Sequence, residues 1–351
     1  MKRLLEIDEY REDVESVAGL DLPWGRLAGK AILVTGGTGL IGSFLIDVLH
    51  AADIGCKVIL LGRSEEKAKE RFREYWGGDF IQFVKWDVAQ KALPEIQSPV
   101  DFVLHLASNT HPVAYATDPI GTISANVIAL DNLLALAAAK KTERFVFASS
   151  NEIYGENRGD VELFDEKYCG YIDCNTLRAG YTESKRCGEA LCQAYIRQKG
   201  LDCVVARLTR TFGPTILPTD TKAISQFFNN AIAGQDIVLK SEGRQFFSYQ
   251  YVSDTVSGLL AVLLKGETGE AYNVADESGD VTLRDLAGLI AGRADRKVVF
   301  ELPDAVESAG FSKATKARLD GSKLRALGWK PRYDIANAVK RNMMIMQRTR
   351  I

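Results

Sequence analysis

Two short stretches carry side chains able to move a proton on and off a substrate hydroxyl. In "YTESK", Tyr181 and Lys185 stand four positions apart and so share one face of a helix. An isolated phenol loses its proton near pH 10 and is a poor base at neutral pH. A lysine beside it, and any further positive charge, favours the phenolate and draws that value toward working pH. In "SSNEIYG", Ser150 offers a hydroxyl that can bind the same substrate oxygen, followed by the Asn151 amide and the Glu152 carboxylate. An amide cannot donate a proton as an acid does, so auxiliary acid or base work falls to Glu152.

The elements that must position these groups are legible around them. "AILVTG" is an apolar run that leads directly into "TGGTGLIG", with Gly36, Gly39 and Gly42 at three-residue spacing, and then into the helix-periodic "LIGSFLIDVLHAA". Glycines between a strand and a helix let backbone amides approach a pyrophosphate at the helix N-terminus. Gly36, Thr38, Gly39, Leu40, Ile41 and Gly42 are therefore expected to hold NAD or NADP. The second apolar strand, "KVILLG", ends in Gly62 and Arg63 where a carboxylate would hold the ribose hydroxyls of NAD. A guanidinium there favours the 2′-phosphate of NADP. Alternatively, Arg63 stacks on the adenine or faces solvent and NAD binds. Asp87 and Val88, at the end of "KWDV", are placed to touch the adenine, and Asp87 serves equally as a loop acid.

Strands and helices continue to alternate through "IQFVKWDV", "DFVLHLAS", "ISANVIALDNLLALAAAK" and "RFVFASS". Runs that are apolar on both faces predict a parallel sheet covered by helices, an α/β chain of the Rossmann-type doubly wound class. Residues 1–28 read as an N-terminal helical extension that packs on the body or on a partner subunit. Residues 29–205 read as the NAD(P)-binding domain, with a return segment near 248–265. Residues 206–351 read as mainly a smaller α/β substrate-binding domain.

The bulk numbers set limits on partners. With 46% hydrophobic residues, 26% charged residues and a net charge of −2, nothing favours nucleic acid or an anionic membrane. The first twenty residues contain no long apolar run, so neither a secretory signal nor a membrane span is expected. None of the six cysteines forms a C-x-x-C pair, and Cys187 and Cys192 read as buried thiols of one helix. His50, His105 and His111 make no metal-ligand constellation, so no metal is expected. Free thiols fit a reducing cytoplasm.

With "TGGTGLIG", "HLAS", "SSNEIYG", "YTESK", "TFGP", "YVSD", "YNVADES" and "LGWKP" in place, residues 29–345 resemble the extended short-chain dehydrogenase/reductases. Within these the chain is similar to the NAD(P)-dependent nucleotide-sugar epimerases and dehydratases. The resemblance implies a Ser150, Tyr181, Lys185 catalytic triad and Asn126 as a structural helper. It also implies a strand-end cofactor wall at His105 with Leu106, Ala107 and Ser108. Members oxidise a sugar hydroxyl, commonly at C4, while hydride passes to the nicotinamide. Sugar 4,6-dehydratases of the hexose type usually carry Asp then Glu after the serine, and Asn151 here disfavours that chemistry. The segment Arg178, Tyr181, Lys185, Arg186 and Glu189 resembles UDP-glucuronate decarboxylases.

Arg178 then pairs with a substrate carboxylate or phosphate, or remains a surface arginine. Asn151 is a further candidate for contact with the sugar. Two departures stand out. The family often has Asn where this chain has Arg210, and Arg where it has Phe247, both at diphosphate ligands. Arg210 either restores anion binding in altered geometry or grips a uronate carboxylate, and Arg244 is a further substrate-binding candidate. The expected function is transient C4 oxidation of a nucleotide sugar followed by epimerisation or decarboxylation. The alternatives are a dehydratase of Ser-Glu type, an NADPH-dependent ketone reductase, and a catalytically silent cofactor-sensing protein. The resemblance also implies a homodimer through the helices at 122–140 and 181–199.

Overall fold

A computed structural model describes residues 3–90, 92–110, 115, 117–217, 220–301 and 315–350. His111, weighed above, lies outside the described residues. After a 3-10 turn at Leu4–Glu6 the chain forms α1 (Asp8–Ala18). It then alternates through β1 (Ala31–Thr35), α2 (Leu40–Ala51), β2 (Lys57–Gly62), α3 (Glu65–Arg71), β3 (Ile81–Lys85) and β4 (Phe102–His105). Next come α4 (Pro119–Lys140), β5 (Arg144–Ser150), α5 (Ala179–Lys199) and β6 (Cys203–Leu208). Beyond them lie β7 (Arg210–Phe212), α6 (Ala223–Ile232), β8 (Ile237–Leu239), β9 (Phe246–Tyr251), α7 (Val252–Lys265) and β10 (Ala271–Val274). The chain closes with β11 (Asp280–Thr282), α8 (Leu283–Arg293), β12 (Val298–Phe300), β13 (Lys316–Ala317), α9 (Ser322–Ala326) and α10 (Ile335–Arg350).

Seven strands form one sheet in the order β3-β2-β1-β4-β5-β6-β10, each parallel to its neighbours. The apolar runs of β1, β2, β4 and β5 are buried because helices cover both faces. The order reverses between β1 and β4, which opens a crevice at the carboxyl ends of the strands. The chain rejoins this sheet through β10, in register with β6 at Ala271↔Val205, while α7 packs across β5, β6 and β10. Residues 248–251 lie instead in β9, the centre of a second sheet flanked by β11 and β13 and joined by β7.

Local signals fix several helix ends. Asp118 accepts the Gly121 amide at 3.0 Å with Pro119 opening α4, and Gly200 closes α5 at φ 67°. The segment "SEEKAKERFREYW" is helical only as far as Arg71. There Phe72 is fully buried and the Arg71 guanidinium turns inward onto Asp47 and the Tyr10 hydroxyl. Cys187 corrects the expectation of a buried pair on α5: it is exposed and only Cys192 is buried. Helical spacing places the two thiols on different faces of α5.

Residues 3–28 are built into the body. Ile7, Tyr10, Val14, Val17 and Leu27 are buried, and α1 lies against α2, α7 and α10. Its apolar stripe was disguised by Asp13, which points into the same interface.

Candidate active site

The glycine loop packs too closely for any side chain at two positions. Gly36 sits at φ +72°, and a Cβ there would lie 2.8 Å from the Ala107 nitrogen. A Cβ on Gly42 would lie 2.3 Å from the Gly36 oxygen. Gly39 is less constrained, with its nearest contact at 3.2 Å. The cradle leaves Thr38, Leu40 and Ile41 at the start of α2, whose first amides have no side-chain cap. This backbone geometry fits a dinucleotide pyrophosphate. The Leu40 carbonyl accepts the Thr215 hydroxyl at 2.7 Å, which ties the loop to the segment after β7.

The wall beside the loop is fixed by a relay of hydrogen bonds. The Thr35 hydroxyl and His105 Nδ1 are 2.8 Å apart, and the Ala107 amide donates to Thr35 at 3.1 Å. Burial lowers the His105 imidazole to about 3, so it is neutral at physiological pH. The Ser108 hydroxyl donates to Asn126 Oδ1 at 2.7 Å, and Asn126 Nδ2 donates to the Ser184 hydroxyl at 2.9 Å. Ser184 in turn donates to the Tyr181 carbonyl at 2.8 Å. Asn126 thus couples the wall at Leu106–Ser108 to the helix that carries Tyr181 and Lys185. Arg63 is exposed at the end of β2, and the Asp87 carboxylate caps its own turn through the Ala89 amide at 3.0 Å. Val88 packs against the core.

Tyr181 and Ser150 meet where β5 and α5 converge. Ser150 ends β5 and caps the 3-10 turn Asn151–Tyr154 by accepting the Glu152 amide at 3.2 Å. Asn151 is buried in that turn, its Oδ1 3.5 Å from the Ser150 hydroxyl. The Tyr181 phenol is raised above its ordinary range by burial and then by the Glu152 charge, while Ser150 and Arg178 lower it. Lys185 is buried on the same helix. Its Nζ donates to the Ala148 carbonyl at 2.8 Å and lies 4.7 Å from the Phe147 ring centre. Burial lowers its ammonium to about 7, against the influence of Glu189 and Cys192.

Arg178 belongs to the site and is not a surface arginine. Its Nη2 donates to Glu152 at 2.6 Å, and its guanidinium lies 4.7 Å over the Tyr115 ring. Tyr115 itself stacks on Tyr181, with ring centres 4.8 Å apart. No motif flagged Tyr115 in the sequence, since its partners, Arg178 and Tyr181, lie at the start of α5. Arg210 lies 3.6 Å from the centre of the Phe247 ring. Its guanidinium is lowered by burial, with Glu152, Arg178, Tyr115 and Tyr249 among the groups acting on it. Arg244 does not join this cluster: its side chain is 85% exposed and pairs with Glu242 at 2.7 Å.

A phenol, a hydroxyl, a carboxylate and two guanidinium groups thus converge at the carboxyl end of β5, beside a dinucleotide cradle. A family model, the NAD dependent epimerase/dehydratase family, matches residues 32–275. The chain belongs to this family. Among relatives, UDP-glucuronic acid decarboxylase 2 of Arabidopsis thaliana is 30% identical over 93% of the chain and 70% of its own length. UDP-glucuronic acid decarboxylase 6 of the same plant is 32% identical over 87% of the chain and 85% of its own length. The solved UDP-glucuronic acid 4-epimerase of Bacillus cereus, in complex with UDP-glucuronic acid and NAD, superimposes with a TM-score of 0.78. It is 19% identical over 91% of the chain and 99% of its own, so it shares the fold. The glycine cradle fits a dinucleotide of the kind this NAD dependent family is described by.

Proposed function

We propose that the protein oxidises a nucleotide-linked uronic acid transiently at C4 and releases the C6 carboxylate as carbon dioxide. The observation that carries this reading is Tyr181 facing Ser150 with the Glu152–Arg178 pair in the same cleft. The relatives that are UDP-glucuronic acid decarboxylases support it. Bound NAD supplies the hydride acceptor and later returns the hydride. The chain's own groups do the remaining work. Tyr181 takes the C4 hydroxyl proton, and Ser150 hydrogen-bonds the same oxygen. The ketone at C4 is then β to the carboxylate. When the C5–C6 bond breaks, its electron pair runs into C4–C5 and the C4 oxygen, and carbon dioxide leaves. Glu152 relays a solvent proton to C5, and Tyr181 returns its proton to the C4 oxygen. The segment after β6 contributes Arg210 and, in this reading, most of the sugar-nucleotide site.

The test is chromatography with mass spectrometry of UDP-glucuronate incubated with the protein and catalytic NAD or, separately, NADP. The expected product has lost carbon dioxide. Unchanged mass at a new retention time would replace decarboxylation by inversion at C4, and no change would end the uronate reading. Arg63 at the end of β2, with no carboxylate beside it, supports acceptance of NADP alongside NAD. Turnover with NAD alone would remove that part.

We infer that two copies of the chain pair through α4 and α5. The helix α4 has a mean hydropathy of 1.5, yet only 44% of its most apolar stretch is buried. Ala125, Ala129, Leu130, Leu133, Leu134 and Ala137 face inward. Ile120 remains 79% exposed and Leu177, next to α5, 67%, with Ile123 and Ile128 also exposed. Such a cluster marks an interface. Sedimentation should give a dimer for the native chain and a monomer for Ile123→Glu; a native monomer would overturn the pairing.

A further inference from the structure

Among the described residues, the cleft holds more positive charge than its own acids answer. Glu152 is the carboxylate among the groups acting on Arg210, and it is already engaged by Arg178 Nη2 at 2.6 Å. Two guanidinium groups therefore share one carboxylate. Three of their nitrogens, Arg178 Nε and Nη1 and Arg210 Nη1, are buried with no hydrogen-bond partner among the described residues. Buried donors of charged groups are costly to leave unmade, so this arrangement favours an anion in place.

The position of the gap says which anion. Arg178 lies over Tyr115, and Tyr115 stacks on Tyr181, so the gap shares a wall with the phenol that acts at C4. In a pyranose ring C1 is opposite C4, and a diphosphate on C1 points away from that phenol. The C5 substituent is adjacent to C4 and points toward it. We propose that Arg210, seated on Phe247, is a specificity-determining residue of this site: with Arg178 it takes a carboxylate on C5 of the sugar and discriminates against neutral hexoses.

This rests on the enzyme reading above only for the placement of C4 at Tyr181. Phe247 supplies the means of holding an unpaired arginine. At 3.6 Å from the ring centre the guanidinium is stacked on the aromatic face, which orients it without consuming its in-plane donors. Strands β7 and β9 run parallel with Arg210 opposite Tyr249, so the ring two positions earlier on β9 comes from the second sheet. Neither residue alone builds the seat.

The experiment is calorimetric binding of UDP-glucuronate and UDP-glucose to the native protein, Arg210→Gln and Arg210→Lys, each preloaded with NAD, alongside turnover of UDP-glucuronate. The native protein should bind the uronate at least about 10-fold more tightly than the neutral sugar. Arg210→Gln should weaken uronate binding by roughly 10–100-fold, the range of a charged hydrogen bond, and leave UDP-glucose within about 2-fold. Arg210→Lys keeps the charge without the stacked fork and should recover part of the difference. Equal weakening for both sugars would place Arg210 on the diphosphate or in a purely structural role, and would overturn the proposal. Equal binding of both sugars by the native protein would overturn it as well, whether or not the variants fold. Preference for the uronate without any turnover would sink the enzyme reading and leave the assignment of Arg210 standing.

Discussion

Replacing Tyr181 by phenylalanine is expected to lower turnover by roughly 10²–10⁴-fold, the usual worth of a positioned acid–base group, while ligand binding persists. The phenyl ring would keep its stack on Tyr115, at 4.8 Å between ring centres, and its place in a site where Tyr181 is only 5% exposed. Only the hydroxyl is lost. Burial and the Glu152 charge hold that hydroxyl protonated in the protein alone, so the site needs added positive charge before the phenol can act as a base. The measurement is kcat for Tyr181→Phe against Tyr115→Phe, with binding of NAD and sugar nucleotide checked in both. Tyr115 is the neighbouring phenol, so its variant is the control for simple disturbance of the stack. If Tyr115→Phe abolished turnover and Tyr181→Phe preserved it, the base would be Tyr115.

Asp13→Ala should destabilise the protein by about 3–5 kcal/mol, the cost of removing one partner from a buried charged network. Asp13 is fully buried on α1. One of its oxygens accepts the Tyr251 hydroxyl at 2.9 Å; the other accepts the Tyr333 hydroxyl at 2.7 Å and Arg341 Nε at 3.1 Å. Alanine leaves two phenols and a guanidinium without that acceptor, in an interface joining α1, β9 and α10. With an unfolding entropy of roughly 2.1 cal/mol/K per residue, the expected fall in melting midpoint is about 4–7 °C. Scanning calorimetry reads it directly. A midpoint within about 1 °C of the native protein would show that the network contributes nothing net.

The parts of the site legible in the sequence are those fixed by local chemistry. The glycine trio works because Gly36 and Gly42 face backbone a few residues away or at the next strand end, and only glycine fits there. Tyr181 and Lys185 share a face by helical periodicity, and Ser150 sits at the end of an apolar strand. The parts that were not legible depend on which segments meet. Arg178 read equally as a surface residue until Glu152, 26 positions earlier, was found against it. Tyr115 carries no motif and gains its place only from the stack with Tyr181. Arg244 is a substrate-binding candidate in the sequence, but it is exposed and paired with Glu242.

By itself the sequence determined the α/β alternation, the glycine loop and the shared helix face of Tyr181 and Lys185, because strand period, helix period and glycine sterics act within a few residues. Tertiary structure alone decided the rest. It set α1 into the core, since the hydrogen-bond donors to Asp13 lie more than 200 positions away. It brought β7 onto β9, so that an arginine and a phenylalanine 37 positions apart became one cation seat. Burial and charge balance arise only when distant segments exclude water from the same volume, and no local pattern encodes them.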